Sequence, residues 1–234
     1  MTELEFINEL KRINIYLSNY QIEQFNKYYK FLIEYNLHTN LTSITKLEDV
    51  YLKHFYDSCL LSKTIDLNNI DNLLDIGCGA GFPGIVLKII YPKIKLTLLD
   101  SNNKKTKFCE ELTNLLDLKD VTIINKRAED YIKAKRESFD LVTARAVKNL
   151  PMLIELCIPY VKINGYFIAM KSDYINELND SLNGIKILGG EYLETKNIDL
   201  PNDQGIRNFI IIKKKNKTNI KYPRPYNQIL KRTL

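Results

Sequence analysis

The sequence predicts an α/β fold: a mostly parallel sheet covered by helices on both faces and preceded by an N-terminal helical cap. Three observations predict it. A short apolar run, Leu73 to Ile76, stops at a turn with glycines at 77, 79 and 81; a second run, Leu96 to Leu99, ends at Asp100; and apolar strand-like and amphipathic helix-like segments then alternate regularly. Repeated strand and helix units can bury their apolar faces only by wrapping helices around a parallel sheet.

Taken in order, the cap comes first. Ser18 and Gln21 have capping-box spacing, and Ile22, Phe25, Tyr29, Leu32 and Tyr35 follow at helical intervals. After a polar connection over Leu37 to Ser43, Thr45 and Glu48 repeat that spacing and open a helix through Leu47, Tyr51, His54, Phe55, Ser58 and Leu61. Leu73 to Ile76 is interrupted only by Asp75 and reads as a buried strand feeding a tight turn. Glycines there let the backbone turn sharply and approach a ligand without a Cβ in the way. Pro83 stands where a first helical residue would, and Ile85, Val86, Ile89 and Ile90 give that helix its apolar face.

Beyond Asp100 the expected elements are a helix over Asn103 to Leu116, a strand over Val121 to Ile124 and a short helix over Ala128 to Lys133. A strand over Phe139 to Ala144, a helix over Pro151 to Tyr160, a strand over Gly165 to Met170 and a helix over Asp173 to Leu182 follow. Ile185 to Ile187, Tyr192 to Lys196 and Phe209 to Lys213 are strand-like runs with no helix between them, so at least one should pair antiparallel. Ligands of such sheets sit beyond the C-terminal strand ends, where the Gly77 turn, Asp100, Asn125 to Asp130 and Ala144 to Asn149 should converge.

A strand, a glycine turn and a helix N-terminus form a ligand cradle. Gly79, Gly81 and Gly84 also satisfy G-x-G-x-x-G, which on its own points to a dinucleotide. Asp100 follows the first glycine by 23 residues. A carboxylate there can accept hydrogen bonds from both ribose hydroxyls of an adenosine, in dinucleotide and methyl-donor sites alike.

Length and composition limit the alternatives. At 234 residues the chain accommodates one sizeable core with an appendage, but not a cofactor domain and a full second catalytic domain. Expected divisions are a cap over 1–68, a main domain over 69–215 and a basic tail over 216–234. No apolar run approaches the roughly 20 residues that span a bilayer, and the first residues do not resemble a signal peptide, so a cytoplasmic protein with no membrane partner is expected. Cys59, Cys78, Cys109 and Cys157 lack C-x-x-C spacing, and His38 and His54 are the only histidines. Reduced, mostly buried thiols and no metal site are the expectation.

The net charge of +6 is unevenly placed. From Ile206 onward there is no Asp or Glu, whereas Arg207, Lys213, Lys214, Lys215, Lys217, Lys221, Arg224, Lys231 and Arg232 are all positive. With Lys104, Lys105, Lys107, Lys126 and Arg127, these residues suit a polyanion bound through phosphate neutralisation.

Several longer stretches carry a specific resemblance. Residues 75–85 (DIGCGAGFPGI), 98–108 (LLDSNNKKTKF), Arg127-Ala128-Glu129-Asp130 and 139–147 (FDLVTARAV) resemble the bacterial small-subunit ribosomal RNA guanine-N7 methyltransferase family, also called glucose-inhibited division protein B. The likeness extends upstream to Asn40–Ile44 and His54–Ser58 and downstream to Tyr222-Pro223-Arg224. It implies a class I, Rossmann-like methyltransferase domain with a seven-stranded, mostly parallel sheet, S-adenosylmethionine as cofactor, and N7 of a guanine in 16S ribosomal RNA as acceptor. It further implies Gly77 and Phe82 in the donor loop, Asp100 at the ribose, Ala128 and Glu129 beside the adenine, and Arg145 in the donor or substrate pocket. The partner would be 16S ribosomal RNA or the small ribosomal subunit, met by a monomer. Two positions depart from the family: Lys171-Ser172 replaces Lys-Gly, and Pro225-Tyr226-Asn227 replaces a glycine-containing stretch.

The residues agree with that acceptor. N7 of guanine carries a free lone pair, so transfer needs alignment and a desolvated donor rather than proton abstraction. Thr143 to Pro151 contains neither an Asn/Asp-Pro-Pro-aromatic motif nor a Pro-Cys nucleophile, and no catalytic acid, base or nucleophile is assigned. Arg145 could orient the guanine or a phosphate, or pair with Asp75, Glu129 or Asp130. His54 and Asp57, three apart on a helix, are expected to form a local hydrogen bond near the domain seam. Two other readings stay open: a nicotinamide-linked oxidoreductase, disfavoured by Asp75 and the missing substrate domain, and a non-catalytic RNA-binding assembly factor with a vestigial cofactor fold.

Overall fold

The computed structural model describes residues 1–234. Two capped helices lead: α1 (Glu3–Arg12) and α2 (Asn19–Thr39), with Thr2 and Ser18 accepting from the backbone of Glu5 and Gln21 in reciprocal capping boxes. α1 was not expected, although Thr2 and Glu5 have the same spacing and Phe6 and Leu10 are its buried pair. The Thr45 and Glu48 box does not form: α3 (Leu47–Val50) starts after Lys46 without a side-chain cap. It continues through a π-helical stretch, Tyr51–Tyr56, into α4 (Asp57–Cys59) and a 3-10 turn, Leu60–Lys63.

The main domain runs β1 (Asn72–Ile76), α5 (Gly84–Ile90), β2 (Lys95–Asp100), α6 (Asn103–Leu115), β3 (Val121–Asn125), α7 (Ala128–Lys135), β4 (Phe139–Arg145), α8 (Leu150–Cys157), β5 (Val161–Lys171), α9 (Ile175–Ile187), β6 (Gly190–Asp199), β7 (Ile206–Lys214) and α10 (Tyr226–Lys231). Pro83 is the residue before α5, not its first turn. Ile185 to Ile187, expected as a strand, closes α9 instead: Leu178, Ser181, Gly184 and Ile185 are its buried residues, and their three- and four-residue spacing keeps that face on the core.

The seven strands form one sheet in the order β3-β2-β1-β4-β5-β7-β6. The first five are parallel, and β7 runs antiparallel between β5 and β6. The order reverses at the β1–β4 pair, where flanking connections leave to opposite sides and open a crevice at the C-terminal strand ends. Register brings those ends level, with Ile76 beside Leu99 and Asp100 beside Asn125.

Two apolar clusters cover the faces. One joins Phe6, Phe25, Tyr28, Tyr51 and Phe55 of the cap to Phe82, Ile85 and Leu98. The other packs α7, α8 and α9 on the opposite face and takes in Tyr222 and Ile229. All four cysteines are free and buried. No helix is long and apolar enough to cross a membrane.

Residues 216–234 are not a free tail. Arg224 donates from its backbone N–H and Nε to Glu155 Oε1 at 2.8 and 2.9 Å, and from Nη2 to Oε2 at 2.7 Å; Glu155 is fully buried in α8. Lys214 is buried too, donating to the carbonyls of Ile158 and Leu188 at 3.1 Å, and burial lowers its pKa to about 8. Arg207 pairs with Asp57 and Lys215 with Glu191, both at 2.9 Å. Four of the nine cations at this end are therefore committed to contacts within the chain.

Candidate functional site

Two cavities open beyond the C-terminal ends of the parallel strands, and Ala146, the residue after β4, lines both. The first measures about 260 Å³ and brings together Gly77, Asp100, Ala128, Glu129, Lys105 and Val147. Gly77 has φ +70°, and a Cβ there would stand 2.5 Å from Val147 Cγ2, so this close approach is open only to glycine. The Asp100 carboxylate accepts from Gly79 N–H (3.1 Å, Oδ2) and Asn102 N–H (2.9 Å, Oδ1), which fixes its plane. Each oxygen keeps a further lone pair for a hydroxyl donor.

Asp75 lies below the turn, fully buried, with Oδ2 accepting from Gly84 N–H at 2.9 Å and Oδ1 without a partner. It braces the start of α5. Burial raises its pKa to about 7, against the pull of the Gly84 N–H and Arg145. Because the folded pKa is raised, the stability tied to the Asp75 proton is full below about 4 and lost as pH rises through 7. Asp75→Asn should therefore gain on the parent chain between pH 4 and 8, by a few kcal/mol as an order of magnitude, in urea unfolding. A difference independent of pH would show that Asp75 is already ionised at pH 4.

Phe82 and Arg145 do not line this first cavity. Phe82 turns into the cap, stacked on His54 with ring centroids 4.4 Å apart and on Tyr28 at 5.3 Å. Arg145 faces the second cavity, of about 530 Å³, together with Thr42, His54, Asp57, Lys171 and Arg207. Its Nη1 donates to Asp57 Oδ2 at 2.9 Å, and its Nη2 lies 2.7 Å from His54 Nδ1. Neither Asp75, Glu129 nor Asp130 is its partner, and His54 and Asp57 meet through Arg145 rather than each other.

The protonation pattern follows from the donor set. A guanidinium only donates, so His54 Nδ1 must accept and the ring proton sits on Nε2, 2.9 Å from Thr42 Oγ1. Burial and then the Arg145 charge push the His54 pKa down to about 3, which keeps the ring neutral. Arg207 Nε lies 2.9 Å from Asp57 Oδ1 as an ion pair without hydrogen-bond alignment. Burial nevertheless raises the Asp57 pKa against both guanidinium groups.

Three stretches far apart in sequence, Asn40–Ile44, His54–Ser58 and Phe139–Val147, thus converge on one cationic cavity. Sequence reasoning counted Arg207 only within the C-terminal basic run, and missed that Arg145 joins the cap to the sheet. No local pattern links such partners, because Arg145 and Asp57 are 88 residues apart. Tyr226, also missed, lines the first cavity from the C-terminal segment.

Known proteins resemble the chain at two levels. Ribosomal RNA small subunit methyltransferase G of Staphylococcus epidermidis is 51% identical over 224 residues, covering 94% of each chain, and the Staphylococcus aureus protein of that name is 48% identical over 226 residues, covering 96% of this chain and 95% of its own. Among solved structures, an S-adenosylmethionine-dependent O-methyltransferase from Thermotoga maritima superposes with a TM-score of 0.53 at 18% identity, over 80% of this chain and 72% of that one. Precorrin-6y C5,15-methyltransferase from Geobacter metallireducens does so with a TM-score of 0.53 at 18% identity, over 74% and 90%. These two show the fold. Residues 21–204 match the family described as rRNA small subunit methyltransferase G, and with relatives so similar over nearly its whole length, the chain belongs to that family.

Proposed function

We propose that the chain transfers a methyl group from S-adenosylmethionine to N7 of a guanine in 16S ribosomal RNA, with the donor in the Gly77 cavity and the acceptor entering through the Arg145 cavity. One observation carries the reading: two chemically different cavities meet at Ala146, on the crevice where the strand order reverses. The first suits an adenosine, with a carboxylate for ribose hydroxyls and a Cβ-free approach at Gly77. The second is lined by Arg145 and Arg207, which share the one carboxylate of Asp57, and by Lys53 and Lys171, which pair with Asp49 and Glu177, and suits an electron-rich base edge and its phosphate.

When bound, S-adenosylmethionine supplies an electrophilic methyl on a sulfonium. Because N7 already carries a lone pair, accepting that methyl would require no proton to be removed from the base. The protein's task is alignment and exclusion of water. His54 is suited to that task, since its neutral ring holds Arg145 and Thr42 in place and has no free nitrogen to act as a base. Exposed Lys126, Arg127 and Lys148 line the first cavity at its surface and are available to RNA phosphates. The protein would act as a monomer in the cytoplasm, where its ribosomal substrate is met.

Small ribosomal subunits lacking the modification, incubated with labelled donor and mapped base by base, should acquire one methyl on one guanine N7. RNA binding without transfer would favour an assembly factor. Calorimetric binding of NAD instead of S-adenosylmethionine would favour an oxidoreductase.

A further inference from the structure

The first cavity has a wall that comes from the end of the chain. Tyr226 begins α10, is half-buried, and lines this cavity with Gly77, Asp100, Ala128 and Val147. The Arg127 guanidinium carbon lies 4.9 Å from its ring centroid and Lys148 Nζ 5.9 Å away, so residues flanking the cavity on two separate loops converge on this ring. Cation and ring attract, and the attraction holds the ring at the cavity. The segment carrying it is anchored: Arg224, two residues earlier, is forked onto buried Glu155, Ile229 is fully buried, and Arg136 donates to the Tyr222 carbonyl.

We propose that Tyr226 is a wall of the methyl-donor site, contacting the adenosyl portion of the donor, and that the C-terminal segment thereby sets donor affinity. This rests on the function proposed above and deepens it. A tyrosine has few rotors to immobilise and offers a flat face to a purine, so contact area is gained at little entropic cost. Arg127 immediately precedes Ala128 and Glu129, the pair expected beside the adenine, so the ring stands at that end of the cavity. Tyr226 is a positioning and binding residue here, with no part in bond making.

Calorimetric titration with S-adenosylmethionine and S-adenosylhomocysteine tests it on the full chain. Tyr226→Ala should weaken both at least about tenfold, and Tyr226→Phe should stay within about twofold of the parent. The chain contains no tryptophan, so Tyr226→Trp creates a single reporter whose emission should shift when either ligand is added, a signal that a purely structural ring would not give. Parent-like donor affinity in Tyr226→Ala, with or without a loss of RNA affinity, would overturn the proposal while leaving the methyltransferase reading intact. A silent Tyr226→Trp emission under saturating donor would also overturn it. Failure of the parent chain to bind either ligand would overturn both readings together.

Discussion

Gly77→Asp should abolish donor binding while leaving RNA affinity within about twofold. Two independent penalties act at this position. The backbone holds φ at +70°, a region costing an ordinary L-residue about 1–2 kcal/mol. In addition, the new Cβ would stand 2.5 Å from Val147 Cγ2, so either the turn or the residues after β4 must shift. Overpacking of this kind typically costs about 1–3 kcal/mol, which a core of this size tolerates, but the shift falls on the wall of a cavity of about 260 Å³. The added carboxylate would also face Asp100 across that cavity. A loss of donor affinity of at least about 100-fold is expected by calorimetry, corresponding to about 2.7 kcal/mol. Gly79 provides the comparison: its added Cβ meets only the Gly77 carbonyl oxygen at 3.9 Å, so Gly79→Asn, a residue that tolerates positive φ, should lose much less. Equal donor affinity for Gly77→Asp and the parent would show that this turn does not hold the donor.

That turn was legible in the sequence because everything it needs is local. An apolar run, three glycines and an apolar helical face lie within Leu73 to Ile90, and each has a period or a backbone requirement that can be counted. The errors are of three physical kinds. Thr45 and Glu48 have capping-box spacing, but the helix begins after Lys46, and a spacing does not fix the frame in which a helix starts. Ile185 to Ile187 is too short a run for its period to separate strand from helix, and packing on α8 decided it. The basic C-terminal run was counted as one charge patch, yet Lys214 is buried on backbone carbonyls and Arg224 on Glu155; charge counting cannot see which cations the fold consumes. Arg145 illustrates a fourth limit. Its position at a strand end was legible, but its direction was set by Asp57 and His54 across the seam between cap and sheet, contacts that exist only after folding.

Arg145→Met should reduce methyl transfer by at least about 100-fold while donor affinity stays within about threefold, because Arg145 lines the second cavity and not the first. The substitution removes the donor fork that spans Asp57 and His54. Asp57 keeps Arg207, so the buried carboxylate is not stranded, and a stability loss of about 1–3 kcal/mol is expected rather than that of a fully broken pair. Arg145→Lys should recover little activity, since an ammonium cannot bridge both partners in one plane. Urea unfolding at two pH values supplies a check that separates this network from simple loss of packing. In the parent, His54 has a folded pKa of about 3. The unfolded chain therefore binds a proton that the folded chain refuses, and stability falls as pH drops from about 6.5 toward 3. Without the Arg145 charge the folded pKa of His54 must rise, and this acid-side loss shrinks. The destabilisation caused by Arg145→Met should then be smaller at pH 5 than at pH 7.5. A difference that does not change with pH would mean that Arg145 does not govern the His54 proton. Donor affinity falling in step with activity would instead place Arg145 in the donor site and move the acceptor away from the cavity it shares with Arg207.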